Sequence, residues 1–248
     1  MAALFLLYPF ILPFCCAVRP IPWGDSVKRR DKTVTIKKGA AATESYITVK
    51  KEGFAEITEK KSRFLAAVYP VKRASEAEEL IKSAKKKHFD ARHNVWAYSL
   101  LDGTCRYTDD GEPSGTAGVP ILEIMKKQKI TDCLIIVTRY FGGILLGTGG
   151  LCRAYSAAAA AGLEAAGKVT LVTGTTLTVS CDYTDFTPLC RILEDFGAAV
   201  EDQEFGARVS VSFTVRNDRK ESLSARLTDA FCGKLSPKPL AQKFIPDE

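Results

Sequence analysis

Histidine is scarce in this sequence, and cysteines at the spacing of a zinc site are absent. Histidine occurs only at His88 and His93, and no two of the eight cysteines are spaced as C-x-x-C. A zinc site built from clustered Cys and His is therefore not expected, and no other metal or cofactor is predicted. Single cysteines in apolar segments are typical of free, buried thiols in a reducing compartment, which predicts a cytoplasmic protein. Six cysteines fit this description: Cys105, Cys133, Cys152, Cys181, Cys190 and Cys232.

Long apolar runs are also rare, and the one candidate lies at the start of the chain. The segment from Ala2 to Val18 is interrupted by Pro9 and Pro13, follows no Lys or Arg, and is short for a membrane-spanning helix, which needs about 20 residues. We interpret residues 1–45 as a leader outside the fold, within which residues 19–45 are an unstructured linker. Translation from an upstream start is the preferred explanation, and a membrane anchor is the alternative. No stable membrane association is expected.

Charge is divided unevenly between two parts of the chain. Residues 46–168 carry nineteen Lys/Arg and fourteen Asp/Glu, a surplus of five positive charges, whereas residues 169–248 carry nine and twelve. Any polyanion is therefore expected to bind the first part. A run of lysines within it would contact RNA phosphates or would be an ordinary solvated helix face. These residues are Lys82, Lys85, Lys86 and Lys87.

The segment from Arg139 to Tyr155 is the most informative part of the chain. It places five glycines between a predicted buried strand, Ile130 to Phe141, and an alanine-rich helix predicted from Leu151 to Ala166. A glycine-rich loop that leads into a helix N-terminus brings together free N–H groups and the positive end of the helix dipole, which favours an anion such as phosphate. The alternative is that the glycines serve only to pack the helix tightly on the sheet. The candidate ligands are Arg139, Gly142, Gly143, Gly147, Thr148, Gly149, Gly150 and Arg153.

Three further blocks occur before this segment. They are Lys61-Ser62-Arg63-Phe64, His93-Asn94-Val95-Trp96-Ala97-Tyr98 and Asp109-Asp110-Gly111-Glu112-Pro113. Together with the glycine-rich segment, and in this order, they closely resemble the IMPACT family in its bacterial two-domain, YigZ-type form. The resemblance runs from about Tyr46 to the C-terminus. It adds Arg63, His93, Asn94, Asp109, Asp110 and Glu112 to the candidate site residues.

The resemblance implies a cytoplasmic protein of two domains, residues 46–168 and 169–248. The first domain is expected to be similar to the second domain of ribosomal protein S-five, and the second to a ferredoxin-like domain of elongation factor G. The eukaryotic members regulate translation under amino-acid stress. The expected partners are therefore RNA, the ribosome or a translation factor.

Two of the candidate groups also have ordinary structural explanations. His93 would act in a site or would orient a loop. The acidic turn at Asp109, Asp110 and Glu112 would bind a divalent cation or supply an acid and a base, or it would be an exposed turn.

Periodicity predicts an α+β fold in two parts. In the first part, strands are predicted at 54–58, 64–71, 94–101, 104–107 and 130–141, and helices at 75–88, 119–127 and 151–166, with the helices covering one face of a sheet. After Gly167 the pattern predicts strand, helix, two strands, helix and strand, the βαββαβ order of a ferredoxin-like domain.

Two classes of function are consistent with these features. The preferred one is a translation-associated regulatory or binding protein that holds RNA or a phosphate-bearing partner at its basic first domain. The alternative is an enzyme that acts on a small phosphorylated molecule, since small-molecule kinases use a similar fold. No paired lysine and acid of a kinase are recognisable, so binding is favoured over catalysis.

Overall fold

The computed structural model of the protein describes residues 32–35 and 44–247, which form a mixed α/β structure with two antiparallel sheets and five helices. The strands are β1 (Lys32–Thr35), β2 (Ser45–Val49), β3 (Gly53–Glu59), β4 (Ser62–Pro70), β5 (His93–Ser99), β6 (Thr104–Thr108), β7 (Cys133–Tyr140), β8 (Lys168–Cys181), β9 (Ala199–Phe205), β10 (Val209–Arg216) and β11 (Lys238–Pro246). The helices are α1 (Ala74–Lys87), α2 (Gly118–Lys127), α3 (Gly147–Ala166), α4 (Tyr183–Asp195) and α5 (Asn217–Ala230). None of the described helices is both long and apolar enough to cross a bilayer.

The first sheet has six strands in the order β1-β6-β5-β7-β4-β3. Its two central strands, β5 and β7, are buried on both faces, which explains why their sequences are apolar with little alternation. Ile135 and Val137 pack in one core with α2 and α3, whereas Leu134 and Ile136 pack in another with α1. Helices thus cover both faces of this sheet. The expectation that they would cover one face is wrong, because the central strands have apolar residues at successive positions and need a cover on each side.

Helix α3 lies unusually close to the sheet because small residues line the contact. A Cβ on Gly53 of β3 would lie 2.4 Å from the backbone nitrogen of Ala166, and one on Gly162 would lie 2.9 Å from the Val68 side chain. The alanines that fill the same face, including Ala158 and Ala159, are fully buried. The alanine-rich composition of α3 therefore fits a close helix–sheet contact.

The second sheet follows the order of elements that the sequence predicts. Strand β8 leads to α4, the hairpin β9–β10, α5 and β11, and the strands lie side by side in the order β11-β8-β10-β9. One face packs under the two helices through a compact apolar core that includes Phe213, Val211, Leu189 and Leu223. The βαββαβ order is confirmed.

Strands β1 and β2 occupy places that the sequence analysis did not assign to strands. Lys32–Thr35, within the predicted linker, pair with β6 at the edge of the first sheet. Ser45–Val49 pair with the first five residues of β8 and so join the second sheet. The β-branched residues of Thr33-Val34-Thr35 suit a strand. Residues 1–31 and 36–43 of the predicted leader lie outside the described residues.

Candidate ligand-binding site

Helix α3 begins in the glycine-rich segment itself, at Gly147. The predicted start at Leu151 was four residues late, because three glycines in the first four positions have a low helix propensity that local patterns weigh heavily. The first four N–H groups of a helix have no partner within it, and Leu146 provides no side-chain cap. Thr148 and Gly149 are exposed, and the first turn carries no acidic residue. The start of α3 is thus an open, electropositive turn.

The glycines before and within this turn have different structural requirements. Gly143 and Gly147 have φ values of 86° and 71°, in the left-handed region where glycine is favoured. Gly142 is required by space, since a Cβ there would lie 1.9 Å from the carbonyl oxygen of Lys61. Gly149 has neither requirement: its φ lies outside the left-handed region, and a Cβ would meet no atom within 4 Å.

Arg139 lies beneath this turn rather than on its surface. The residue is 4% exposed, and its Nη1 donates to Glu112 Oε1 at 2.6 Å. The alternation along β7 places Arg139 on the same face as Ile135 and Val137, under α3. Its guanidinium is therefore committed to an internal ion pair, and it does not flank the glycines as an exposed anion ligand.

Glu112 is the centre of a buried polar cluster. Its Oε1 accepts hydrogen bonds from Arg139 and from the Tyr155 hydroxyl at 2.8 Å, and His93 Nε2 lies 3.7 Å away. Burial, followed by the Glu112 charge, raises the pKa of Tyr155, so the phenol stays protonated and donates to the carboxylate. Ser62 completes the cluster, because its hydroxyl is 3.5 Å from Arg139 Nη2 and accepts from the Gly142 N–H at 3.3 Å. We call these five residues the anchor cluster.

The anchor cluster fixes the loop that precedes α3. It ties three elements together: the start of β4 through Ser62, the end of β7 through Arg139, and the third turn of α3 through Tyr155. The Gly142 contact with Ser62 attaches the loop directly to this framework. Phe64 packs edge-on against Tyr155, with ring centroids 5.2 Å apart, and closes the cluster on the sheet side. The open turn of α3 is thus built on a rigid support.

The other two carboxylates of the acidic turn point elsewhere. Asp109 accepts from the N–H groups of Gly115, Ala117 and Gly118, at 2.8, 3.2 and 2.8 Å, and so caps the start of α2. Asp110 accepts from the Asn94 N–H at 2.7 Å. Within the part of the chain that the structure describes, no group of three His, Cys, Asp or Glu side chains is placed to hold a metal ion.

His93 and Asn94 face opposite sides of the first sheet. His93 faces α3, and its Nδ1 lies 2.9 Å from the carbonyl oxygen of Asp110. Asn94 faces α1, where its side chain accepts from Thr138 and donates to the carbonyl oxygen of His88. Arg63 is also on the α1 side, paired with Glu56 at 2.7 Å and exposed. Of these residues, only His93 belongs to the anchor cluster.

Exposed cations lie at the open turn and at the loop that precedes it. Lys61 touches Gly142 through its backbone, and Lys60 lines the same shallow pocket as Gly150 and Arg153. Arg92 lies over the ring of Phe141, 5.2 Å from its centroid. Among the ion pairs of the described residues, none involves Lys60, Lys61, Arg92 or Arg153, whereas Arg63 and Arg106 are both paired. Glu59 is the one carboxylate of this pocket. The surroundings of the turn are basic.

Comparison with known proteins identifies the family. A family model described as the Impact N-terminal domain matches residues 60–163, and one described as a domain of unknown function, DUF1949, matches residues 179–234. The IMPACT family member YvyE of Bacillus subtilis is 38% identical over 192 residues, which are 77% of this chain and 88% of the relative. The chain belongs to the IMPACT family.

A second IMPACT relative and one solved structure are also similar to this chain. YigZ of Escherichia coli is 31% identical over 180 residues, 71% of this chain and 88% of YigZ. A crystal structure described as that of a hypothetical protein is 28% identical, has a TM-score of 0.53, and aligns over 80% of this chain and 98% of its own. The Impact N-terminal match includes the whole anchor cluster and the open turn.

Five residues of this IMPACT-family site were not predicted from the sequence: Lys60, Lys61, Ser62, Arg92 and Tyr155. Lys61 and Ser62 lie in one of the sequence blocks that carry the family resemblance and Tyr155 ends another, but no local pattern shows that they converge. The sequence did contain a sign that Arg139 is buried. Its position two residues after Val137 and four after Ile135 places it on a buried face of β7.

Proposed function

We propose that this IMPACT-family chain is a translation-associated binding protein that holds the phosphate groups of RNA at the open turn of α3. The observation that carries the proposal is Gly149. Glycine within a helix is less stable than alanine by about 0.5–1 kcal/mol, and neither backbone conformation nor packing explains it here. Close approach of a ligand to the helix backbone does explain it.

The charges around the turn support the same ligand. Lys60 and Arg153 line the pocket at the first turn of α3, where the N–H groups carry the positive end of the helix dipole, and Lys61 and Arg92 lie against the loop that precedes it. None of these four cations has an ion-pair partner among the residues that the structure describes. RNA phosphates would contact these groups without displacing any internal ion pair. Binding of this kind releases counterions and weakens as salt rises.

Arg139 has a positioning role in this proposal. Its charge is neutralised by Glu112, and the pair holds the loop from Gly142 onwards through Ser62. The anchor cluster keeps the turn in its open form before a ligand arrives. A preorganised site loses less entropy on binding.

The proposal also includes a specific fold type for each of the two domains. The strand order β11-β8-β10-β9 with two helices on one face supports a ferredoxin-like second domain of the elongation factor G type. We also propose that the first domain, residues 46–168, is similar to the second domain of ribosomal protein S-five. Residues 169–248 would then dock on the ribosome or a translation factor, and the site of action would be the cytoplasm.

Titration of the full chain with fluorescently labelled RNA at several salt concentrations tests the proposal. Arg153→Ala is expected to weaken binding and to lower the salt slope by about 1, as for the loss of one phosphate contact. Arg226→Ala, on an exposed face of α5, is the matched control and should change neither quantity. Equal losses in both variants, or no binding of RNA or inorganic phosphate by the wild type, would overturn the proposal.

A further inference from the structure

Four large apolar side chains are exposed on two loops of the first domain, the one that follows α1 and the one that leads into the open turn. Phe89 is 84% exposed and Leu145 is 82% exposed, and Ile144 and Phe141 are 43% and 36% exposed. The core of the same domain is closely packed, so these side chains are not surplus from a poorly formed interior. Contiguous exposed apolar surface is a mark of an interaction site.

The two loops that carry these residues are fixed against each other. Phe89 follows α1, and the other three lie between β7 and α3. Arg92 of the first loop lies over the ring of Phe141 in the second. His88 Nδ1 and the Tyr140 hydroxyl are 2.9 Å apart, and Asn94 Nδ2 donates to the carbonyl oxygen of His88. The loops form one surface. We call it the apolar rim, defined as Phe89, Arg92, Phe141, Ile144 and Leu145.

The charged residues around the apolar rim indicate what kind of ligand it binds. Residues 88–92 and 141–150 contain one carboxylate, Asp90, whose Oδ1 accepts from the Tyr140 hydroxyl at 3.2 Å. The exposed cations Lys86, Lys87 and Arg92 flank Phe89 in the sequence. A ligand for this surface therefore combines negative charge with flat apolar faces. An unpaired nucleobase attached to its phosphate has both properties, and bases stack on aromatic rings and on guanidinium planes.

We propose that the apolar rim binds unpaired bases of a single-stranded RNA, with Phe89 as the main stacking platform. This inference rests on the proposed function, because the phosphates of the same strand are held at the open turn of α3. A duplex would reach the cations but not the rim, since its bases are already stacked and paired. The RNA bound by this chain is therefore single-stranded.

The test compares three ligands of equal strand length: a single-stranded RNA, the same RNA annealed to its complement, and an abasic strand. The wild type is expected to bind the single strand most tightly. Phe89→Ala should weaken that binding about 5- to 100-fold, the range for loss of one stacked base, and Phe89→Trp should retain it. Phe89→Ala should leave duplex and abasic binding unchanged.

Phe205→Ala is the matched control, because Phe205 is 60% exposed and belongs to the second sheet. It should bind all three ligands as the wild type does. Unfolding midpoints should be unchanged in Phe89→Ala, since its side chain is almost fully exposed. Equal affinity for all three ligands, together with no effect of Phe89→Ala, would refute base stacking while leaving phosphate binding intact. Absence of binding to every ligand would refute both.

Discussion

Arg139 of β7 and Glu112 of the β6–α2 loop form a buried ion pair, with 2.6 Å between Nη1 and Oε1 and side chains that are 5% and 4% exposed. The two residues are 27 positions apart, and the pair closes the layer between the sheet and α3. Tyr155 and His93 approach the same carboxylate. The stability of the first domain and the shape of its open turn therefore depend on one acidic side chain.

Glu112→Ala is expected to destabilise the protein by about 3–5 kcal/mol, because it leaves the Arg139 charge buried without a partner. Tyr155→Phe removes one hydrogen bond from the same carboxylate and should lower stability by about 1 kcal/mol. Urea unfolding followed by tryptophan fluorescence measures both values. An unfolding midpoint of Glu112→Ala equal to that of the wild type would contradict a structural role for the pair.

Gly142 and Gly149 provide opposite predictions in one loop. Gly142→Ala places a Cβ against the backbone of Lys61, so the β3–β4 turn must move, and we expect a loss of about 1–3 kcal/mol. Gly149→Ala meets no neighbour and should stabilise the free protein by about 0.5–1 kcal/mol. Thermal midpoints without RNA check both signs. Under the proposed function, Gly149→Ala binds RNA more weakly although it is more stable.

The sequence was sufficient to predict elements whose signals are local. The apolar run ending at Tyr140 and the strand ending at Pro70 lie within a few residues of their predicted bounds, because side-chain periodicity follows directly from backbone geometry. The start of α3 could not be predicted in this way. There the packing of Leu151 and Tyr155 outweighs the poor helix propensity of the preceding glycines.

Local sequence patterns did not predict which partner each carboxylate of the site contacts. Asp109, Asp110 and Glu112 are neighbours in the sequence and were weighed as one acidic group, yet they contact α2, β5 and Arg139 respectively. Which way each carboxylate points depends on the left-handed backbone at Asp110, with a φ of 42°, and at Gly111. No periodic pattern in the sequence encodes such a turn.

Asp109→Ala should destabilise the start of α2. The variant loses three hydrogen bonds from backbone N–H groups, and the typical effect of losing a helix cap is about 1–2 kcal/mol. Asp109→Asn keeps one acceptor and should lose less. Chemical unfolding gives the difference between the two variants. Full stability of Asp109→Ala, combined with stabilisation of the wild type by Ca²⁺ or Mg²⁺, would instead favour a cation site at the acidic turn.

Asp132 joins the two sheets and carries the clearest pH dependence. Its Oδ1 accepts from the Leu101 N–H at 2.7 Å, its carbonyl oxygen accepts from Thr48 of β2 at 3.3 Å, and the Tyr46 hydroxyl donates to its carboxylate. Burial raises the pKa of Asp132 despite these donors and the nearby Lys72 charge, which lower it. The carboxyl is therefore held in a position where its charged form is disfavoured.

The sign of the pH effect follows from this shift. A carboxyl whose pKa is higher in the folded state binds a proton more tightly there, so it stabilises the fold at acidic pH. That contribution is lost as pH rises from the ordinary value of about 3.9 through the raised folded pKa. Asp132→Asn keeps an acceptor, tolerates the left-handed φ of 52°, and removes the buried charge. We expect Asp132→Asn to equal or exceed wild-type stability at pH 7.5, and to lose that advantage towards pH 4.

Asp132→Ala should be destabilised at both pH values, by about 1–3 kcal/mol, since the N–H of Leu101 loses its acceptor. Thermal and urea unfolding at the two pH values measure these differences, and an Asp132→Asn variant that gains stability relative to the wild type on acidification would show that the charge stabilises the joint instead.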